Sequence, residues 1–134
     1  MLIDCDEFKT INDSYGYSVG DAVIKELADR LVKAVRPSDS VGRIGGDEFL
    51  ILLPNTSLNA ATTLSERLRL DISGTPFFQK EGIKASISLG VSAVPEGQGS
   101  LDQLVLLTQD ALKTSKTQGR NRVSVSSDDE DSGS

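Results

Sequence analysis

The stretch between Pro37 and Pro54 constrains the fold of this chain most. Ser40–Ile44 and the apolar run Phe49–Leu53 are both strand-length. Only Gly45-Gly46-Asp47-Glu48 separates them, and two strands joined by so short a glycine-containing turn read as a β-hairpin. Just upstream, Val23, Ile24, Leu27, Leu31 and Val35 recur at three- and four-residue steps and share one helical face; Pro37 stops that helix. Thr56 or Ser57 can cap a second helix with Ala60, Ala61, Leu64 and Leu68 turned inward. Ser100 can cap a third, carrying Leu101, Leu104, Val105, Ala111 and Leu112 on one side and ending at Gly119. Met1–Cys5 reads as a short strand, Glu7–Tyr17 as a polar, turn-rich segment and Asp71–Gly82 as a loop. Ile83–Val94 reads as a half-buried strand and Arg122–Val125 as a last strand. Helices separated by hairpin strands imply an α+β fold, a mostly antiparallel central sheet with flanking helices.

Composition narrows what such a domain can do. A chain of 134 residues that is 37% hydrophobic is enough for one domain with a real core. The net charge of −6 is concentrated in Asp128–Asp131, which argues against broad electrostatic binding to nucleic acid or to an anionic membrane surface. There is no histidine, which removes Ser-His catalysis and histidine-ligated zinc, and Cys5 is alone, so no internal disulfide is possible. No apolar run approaches the roughly 18 residues of a membrane span, and no signal-peptide pattern is present. The expectation is a cytoplasmic domain without membrane insertion. Residues 126–134 contain only Ser, Asp, Glu and Gly and read as a disordered acidic tail.

Two acidic groups stand out: Asp4-Cys5-Asp6 at the end of the first strand, and Asp47-Glu48 in the hairpin tip. Oxygen ligands converging from both would suit a hard cation, Mg²⁺ or Mn²⁺. Each cluster alone is also what a solvated strand end looks like. Gly45-Gly46 permits positive φ and close backbone approach, which suits N–H groups arranged around a phosphate. Taken singly, Asn12 is a turn former, Asp21 a helix cap, and Lys116 and Arg120 are cations favoured at a helix C-terminus.

The combined pattern is recognisable. Gly45-Gly46-Asp47-Glu48-Phe49 resembles the signature of the diguanylate cyclase (GGDEF) family. Asp4-Cys5-Asp6-Glu7-Phe8-Lys9, Ile11-Asn12-Asp13, Tyr15-Gly16 and Gly20-Asp21 are similar to that family's DxDxFKxxND…YGHxxGD stretch in type and spacing. Ser88-Leu89-Gly90-Val91 resembles its SIGV strand, and Lys116 with Gly119-Arg120-Asn121-Arg122-Val123 its KxxGRNRV ending. The resemblance implies a sheet like that of the adenylyl cyclase and polymerase palm, and condensation of two GTP into cyclic di-GMP and two pyrophosphates. It further implies that Asp4, the Cys5 carbonyl, and Asp47 or Glu48 hold Mg²⁺ or Mn²⁺, with Asp47 also assisting removal of the proton from the attacking 3′-OH. Asn12 and Asp21 would read guanine. Gly45 and Gly46 would admit the phosphates, and Lys9, Lys116 and Arg120 would meet the triphosphate charge. A guanine edge presents N–H donors to a carboxylate and mixed groups to an amide, which suits Asp21 and Asn12.

Each domain of this kind would hold one GTP, so turnover implies a homodimer facing about a two-fold axis. Arg36-Pro37-Ser38-Asp39 resembles the family's inhibitory RxxD motif, which binds cyclic di-GMP, and Arg67 resembles a secondary product-binding arginine. The sequence also departs from the family. Tyr17 stands where His is usual, Thr108-Gln109 where Ala-Asp is usual, and Lys113 where Tyr is usual. The helix and turn that ordinarily precede the first strand are missing. Residues 1–125 are therefore expected to be an N-terminally truncated GGDEF domain, whose parent could be membrane-tethered through a missing domain. The alternative is a catalytically silent module that binds cyclic di-GMP or GTP.

Overall fold

A computed structural model of the chain describes residues 1–78, 82–94 and 99–127. In chain order its elements are β1 (Leu2–Cys5), α1 (Phe8–Tyr15), α2 (Tyr17–Ala34), β2 (Ser40–Arg43), β3 (Glu48–Leu52), α3 (Leu58–Gly74), β4 (Ile87–Ala93), α4 (Leu101–Thr117) and β5 (Val123–Ser127). The strands form one sheet in the order β2-β3-β1-β4-β5. Neighbours are antiparallel except β4 and β5, which run parallel with α4 as the crossover between them. The expected α+β architecture with a mostly antiparallel sheet is present, and β2–β3 is the expected hairpin.

β1 lies at the centre and is buried along its whole length. The sequence Ile87-Ser88-Leu89-Gly90-Val91-Ser92 shows how β4 is covered on both faces. Ile87, Leu89 and Val91 join Ile3, Phe49 and Ile51 in a core completed by Leu27 and Leu31 of α2 and by Leu68 and Ile72 of α3. The small residues face α4. A Cβ on Gly90 would fall 2.4 Å from both the Thr108 carbonyl oxygen and the Leu112 nitrogen, so the helix backbone rests on the strand at this point. The reading of β4 as half-buried is thus corrected: its small residues are buried because a helix can approach them closely. Thr108 belongs to the same contact. It is buried, and its hydroxyl is paired with Ser92 Oγ and donates to the Leu104 carbonyl at 2.6 Å.

Five boundaries differ from expectation, the first being β4, which starts at Ile87 rather than Ile83 and ends at Ala93; Ile83 makes only an isolated bridge with Phe77. Residues 8–15 form a helix, although Asn12-Asp13-Ser14 reads as a turn. Phe8 and Ile11, three apart, turn one side of this short helix inward, while the polar residues 13–15 are exposed. Gly16, at φ 92°, ends α1 and opens α2, which therefore begins four residues before Asp21 and leaves Asp21 inside the helix rather than capping it. α3 runs on through Gly74 because Ile72 still packs into the core. β5 extends to Ser127, and residues 128–134 of the expected tail lie outside the described region. Ser57 is the cap of α3 and Ser100 that of α4, each accepting a backbone N–H three residues on at 3.1 Å. Among the described residues, no helix is long and apolar enough to cross a membrane.

The Gly90 contact carries a direct consequence. Gly90→Ala should lower the stability of the domain by about 3 kcal/mol, as measured by denaturant unfolding, because both colliding atoms are backbone.

Candidate active site

The register of the central strands assembles the site. Asp4 of β1 lies opposite Glu48 of β3, so both side chains leave the sheet on the same face. The Cys5 N–H donates to the Asp47 carbonyl at 3.0 Å, which fixes the hairpin tip beside the end of β1. Asp4 is buried. Its Oδ2 is paired with Lys116 Nζ from the last turn of α4, while its Oδ1 is buried with no hydrogen-bond partner among the described residues. The Asp47 carboxyl is pushed up to about 6, first by burial, then by the adjacent Asp4 carboxyl and its charge; Lys116 opposes this. Burial, reinforced by Asp47, Asp6 and Asp4, pushes the Cys5 thiol up to about 12, so this sulfur stays protonated and inert at neutral pH.

An acid pair with one orphaned oxygen and a raised proton affinity fits a hard divalent cation. Among the described residues no three acid, cysteine or histidine side chains converge into a ready-made cage. That too suits Mg²⁺, which is commonly held by one or two carboxylates plus substrate phosphates. The donors the structure brings together are Asp4 and Asp47. Glu48 shares the face of Asp4 through their register.

The glycines of the hairpin act differently from expectation. Neither Gly45 nor Gly46 has a positive φ. A Cβ on Gly46 would meet nothing within 4 Å, and one on Gly45 would meet only the Glu48 Cβ at 3.4 Å. The turn therefore leaves open space over its backbone and needs no left-handed geometry. Arg43 holds it from behind, donating to the Gly45 carbonyl at 3.0 Å and to the Gly46 carbonyl at 2.5 Å.

Asn12 sits in α1 with its Oδ1 buried and, among the described residues, unpaired, against Gly20 of α2. A Cβ at Gly20 would fall 1.7 Å from that oxygen, so the glycine makes the room that Asn12 occupies. Asp21, the next residue, is exposed, as are Lys9 and the aromatic Tyr17. Arg120 is exposed in the turn after α4 and lines a cavity of about 580 Å³ together with Glu7, Thr10, Lys84 and Ser86. Asn12, Asp21 and Asp47 do not line that cavity.

A second polar arrangement lies at the far end of α2. Arg36 forks onto Asp39, with Nη2 to Oδ1 at 3.1 Å and Nε to Oδ2 at 3.3 Å, and the Arg36 N–H donates to the same carboxylate at 2.9 Å. The guanidinium holds the Asp39 carboxyl below the usual carboxylate range. Arg36, Asp39 and Arg67 line a common cavity of about 220 Å³. The expected trio is thus brought together from two segments, the turn after α2 and α3.

Sequence reasoning missed the role of Asp6, Ser86, Ser88 and Asn121, which form one hydrogen-bonded group around the Asp6 carboxylate. The only sequence signal was the nearness of Asp6 to Asp4, which suggested a shared acid cluster.

A pair of carboxylates beside open glycine backbone, flanked by lysine and arginine at one end of an antiparallel sheet, is a donor set for phosphate together with a divalent cation. Comparison with known proteins is specific. The family model for the diguanylate cyclase GGDEF domain matches residues 1–122. The chain is 45% identical over 128 residues to diguanylate cyclase DgcM of Escherichia coli, covering 92% of this chain and 29% of that protein. It is 41% identical to response regulator PleD of Caulobacter vibrioides, covering 92% of this chain and 28% of that one. The structure of the active GGEEF domain of a diguanylate cyclase from Vibrio cholerae superposes with a TM-score of 0.87 at 34% identity, covering 93% of this chain and 80% of that one. The GGDEF domain of DgcB from Caulobacter crescentus, in complex with c-di-GMP, superposes at 0.84 with 28% identity over 92% of this chain and 74% of that one. The chain belongs to the GGDEF diguanylate cyclase domain family. It spans about a third of the length of the curated relatives it matches.

The acid pair makes stability pH-dependent in a defined direction. The unfolded chain holds the Asp47 proton only below its ordinary value of 3.8, the folded one up to about 6. The stability contributed by the protonated acid is therefore complete below 3.8 and is lost as the pH rises to about 6. In metal-free buffer, Asp47→Asn should match the wild type at pH 3.5 and exceed it at pH 7.5. After discounting for solvent screening at this partly exposed site the gain is on the order of 1 kcal/mol, read from urea unfolding at the two pH values.

Proposed function

We propose that this domain is a diguanylate cyclase, condensing two GTP into cyclic di-GMP and two pyrophosphates. The observation that carries the reading is the Asp4–Asp47 pair, with its orphaned Oδ1 and raised proton affinity, beside the open backbone of Gly45-Gly46. Asp4, Asp47, the Cys5 carbonyl and Glu48 are the groups that would hold Mg²⁺ or Mn²⁺. The bound cation would supply charge neutralisation at the phosphates and favour the alkoxide form of the attacking 3′-OH. Asp47, whose carboxyl is pushed up to about 6, would accept the proton of that hydroxyl. Phosphoryl transfer is chiefly positioning and charge stabilisation. Lys116 is to exchange its contact with Asp4 for the triphosphate, joined by Lys9 and Arg120. Asn12 and Asp21, one on each of two adjoining helices, are to read guanine.

One such site engages one GTP, so bond formation in both directions calls for two copies about a two-fold axis. The reading places the domain, residues 1–125, in the cytoplasm, where GTP is found. The Arg36–Asp39 fork and Arg67 are proposed as the site where cyclic di-GMP binds and restrains turnover. An arginine fork suits a phosphate or the face of a purine, and the carboxylate suits guanine N–H groups.

Incubation of the purified chain with GTP and Mg²⁺, followed by chromatography, should yield cyclic di-GMP and pyrophosphate. Asp47→Ala should lower the yield by at least about 100-fold while leaving cyclic di-GMP binding intact. A folded wild-type chain that binds cyclic di-GMP yet forms none would overturn the enzyme reading in favour of the silent binding module. Arg36→Ala should weaken cyclic di-GMP binding by about 10-fold or more in calorimetry and sustain turnover at product concentrations that arrest the wild type.

A further inference from the structure

Asp6 lies two residues from Asp4 but serves a different purpose. Its carboxylate is buried and accepts three hydrogen bonds. Ser86 Oγ donates to Oδ2 at 2.7 Å, Ser88 Oγ to Oδ1 at 2.5 Å, and the backbone N–H of Asn121 to Oδ2 at 3.0 Å. The serines come from β4 and the residue just before it. Asn121 comes from the turn that follows α4, at a separation of 115 residues.

That turn is conformationally costly. Gly119, Arg120 and Asn121 have φ of 121°, 64° and 46°, three positive values in succession, two of them in residues with a Cβ. Such geometry persists where the surroundings over-determine it. The Arg120 N–H is held by the Ser115 carbonyl at 2.9 Å, closing the end of α4. The Asn121 N–H is held by Asp6. This bond is charge-assisted, because its acceptor is a carboxylate. β1 and β4 do not need the Asp6 side chain to stay together. They are already paired through Asp4–Ser88 and Cys5–Ile87, and the Asp6 N–H donates to the Ser86 carbonyl at 2.9 Å. What the carboxylate adds beyond the sheet is its grip on the turn that carries Arg120.

We propose that Asp6 is a positioning residue. Clamped by Ser86 and Ser88, it holds the 119–121 turn in its left-handed form and so keeps Arg120 over the cavity beside Glu7 and Thr10, where it can meet the substrate's phosphates. The inference rests on the reading of Arg120 as a triphosphate contact. It also ties the end of β1, the strand that carries Asp4, to the turn that carries Arg120, through one carboxylate 115 residues distant in sequence from its last partner.

The test uses two readouts on the full chain. Amide hydrogen exchange followed by NMR should show the Asn121 N–H protected in the wild type. In Asp6→Ala it should exchange at least 10-fold faster, with the Val91 amide of β4 unchanged. Asp6→Asn keeps the shape and can bond both serines, so it should retain most of the protection. In GTP turnover, Asp6→Ala should raise KM about 10-fold with a smaller change in kcat, and Asp6→Asn should recover most of the loss. In an Arg120→Ala background, Asp6→Ala should add little to KM, because both changes remove one function. Unchanged Asn121 exchange in both Asp6 variants overturns the proposal, as does a fall in kcat alone or full additivity with Arg120→Ala. If Asp6→Ala does not fold, Asp6→Asn should still speed Asn121 exchange about 3-fold, and no change there overturns it equally. A wild-type chain that binds no GTP refutes the reading of the site instead, and the exchange result then decides the hold on the turn by itself.

Discussion

The contact of α4 with β4 at Gly90 governs the working end of this domain. With no side chain on the strand at that point, the helix backbone comes to rest against the sheet, and Ser88 and Ser92 keep the flanking positions small. The close approach is then pinned by hydrogen bonds along the helix. Thr108 pairs with Ser92, and Ser115 donates to the Leu89 carbonyl at 2.7 Å. One residue after Ser115, Lys116 reaches Asp4 of the central strand. Four residues on, Arg120 lines the cavity beside Asp6 and Glu7, just past the end of β1. The placement of Lys116 against Asp4 thus follows from how near a helix can lie to a strand made of small residues.

The acid pair would be a liability in a domain without a ligand. Asp4 and Asp47 are held together by the β1–β3 register, not by mutual attraction, and Lys116 compensates only one oxygen of one of them. The raised affinity of Asp47 for a proton records the cost. Such local destabilisation is what a site shows when its charge is meant to be balanced by something that binds. Asp6 makes the contrast plain. It carries the same chemical group two residues away, but with three donors it is fully satisfied and serves to hold its neighbours.

The same pattern separates what was legible in the residues from what was not. The hairpin, the long stripe of α2, the serine caps of α3 and α4 and the covered antiparallel sheet were all readable, because each depends on local periodicity or on one capping side chain. The motif letters placed Asp4, Asn12, Asp21, Asp47, Lys116 and Arg120 in one family pattern. α1 escaped notice because its inward face is only Phe8 and Ile11, and the polar residues after them favour turns when nothing packs against the helix. The burial of β4 on both faces was hidden because serine and glycine look solvent-facing until a helix covers them.

By itself, the sequence determined the fold class, the family and the element types apart from α1, since these rest on spacing, on capping chemistry and on a run of motif residues. Tertiary structure alone decided which charges meet. Lys116 reaches Asp4 across 112 residues, Asp6 turns away from Asp4 toward β4 and Asn121, and the hairpin glycines provide open space rather than left-handed backbone. Those outcomes depend on strand register, on how closely α4 approaches the sheet and on the competition among donors for each carboxylate. None of these is a property of a local segment.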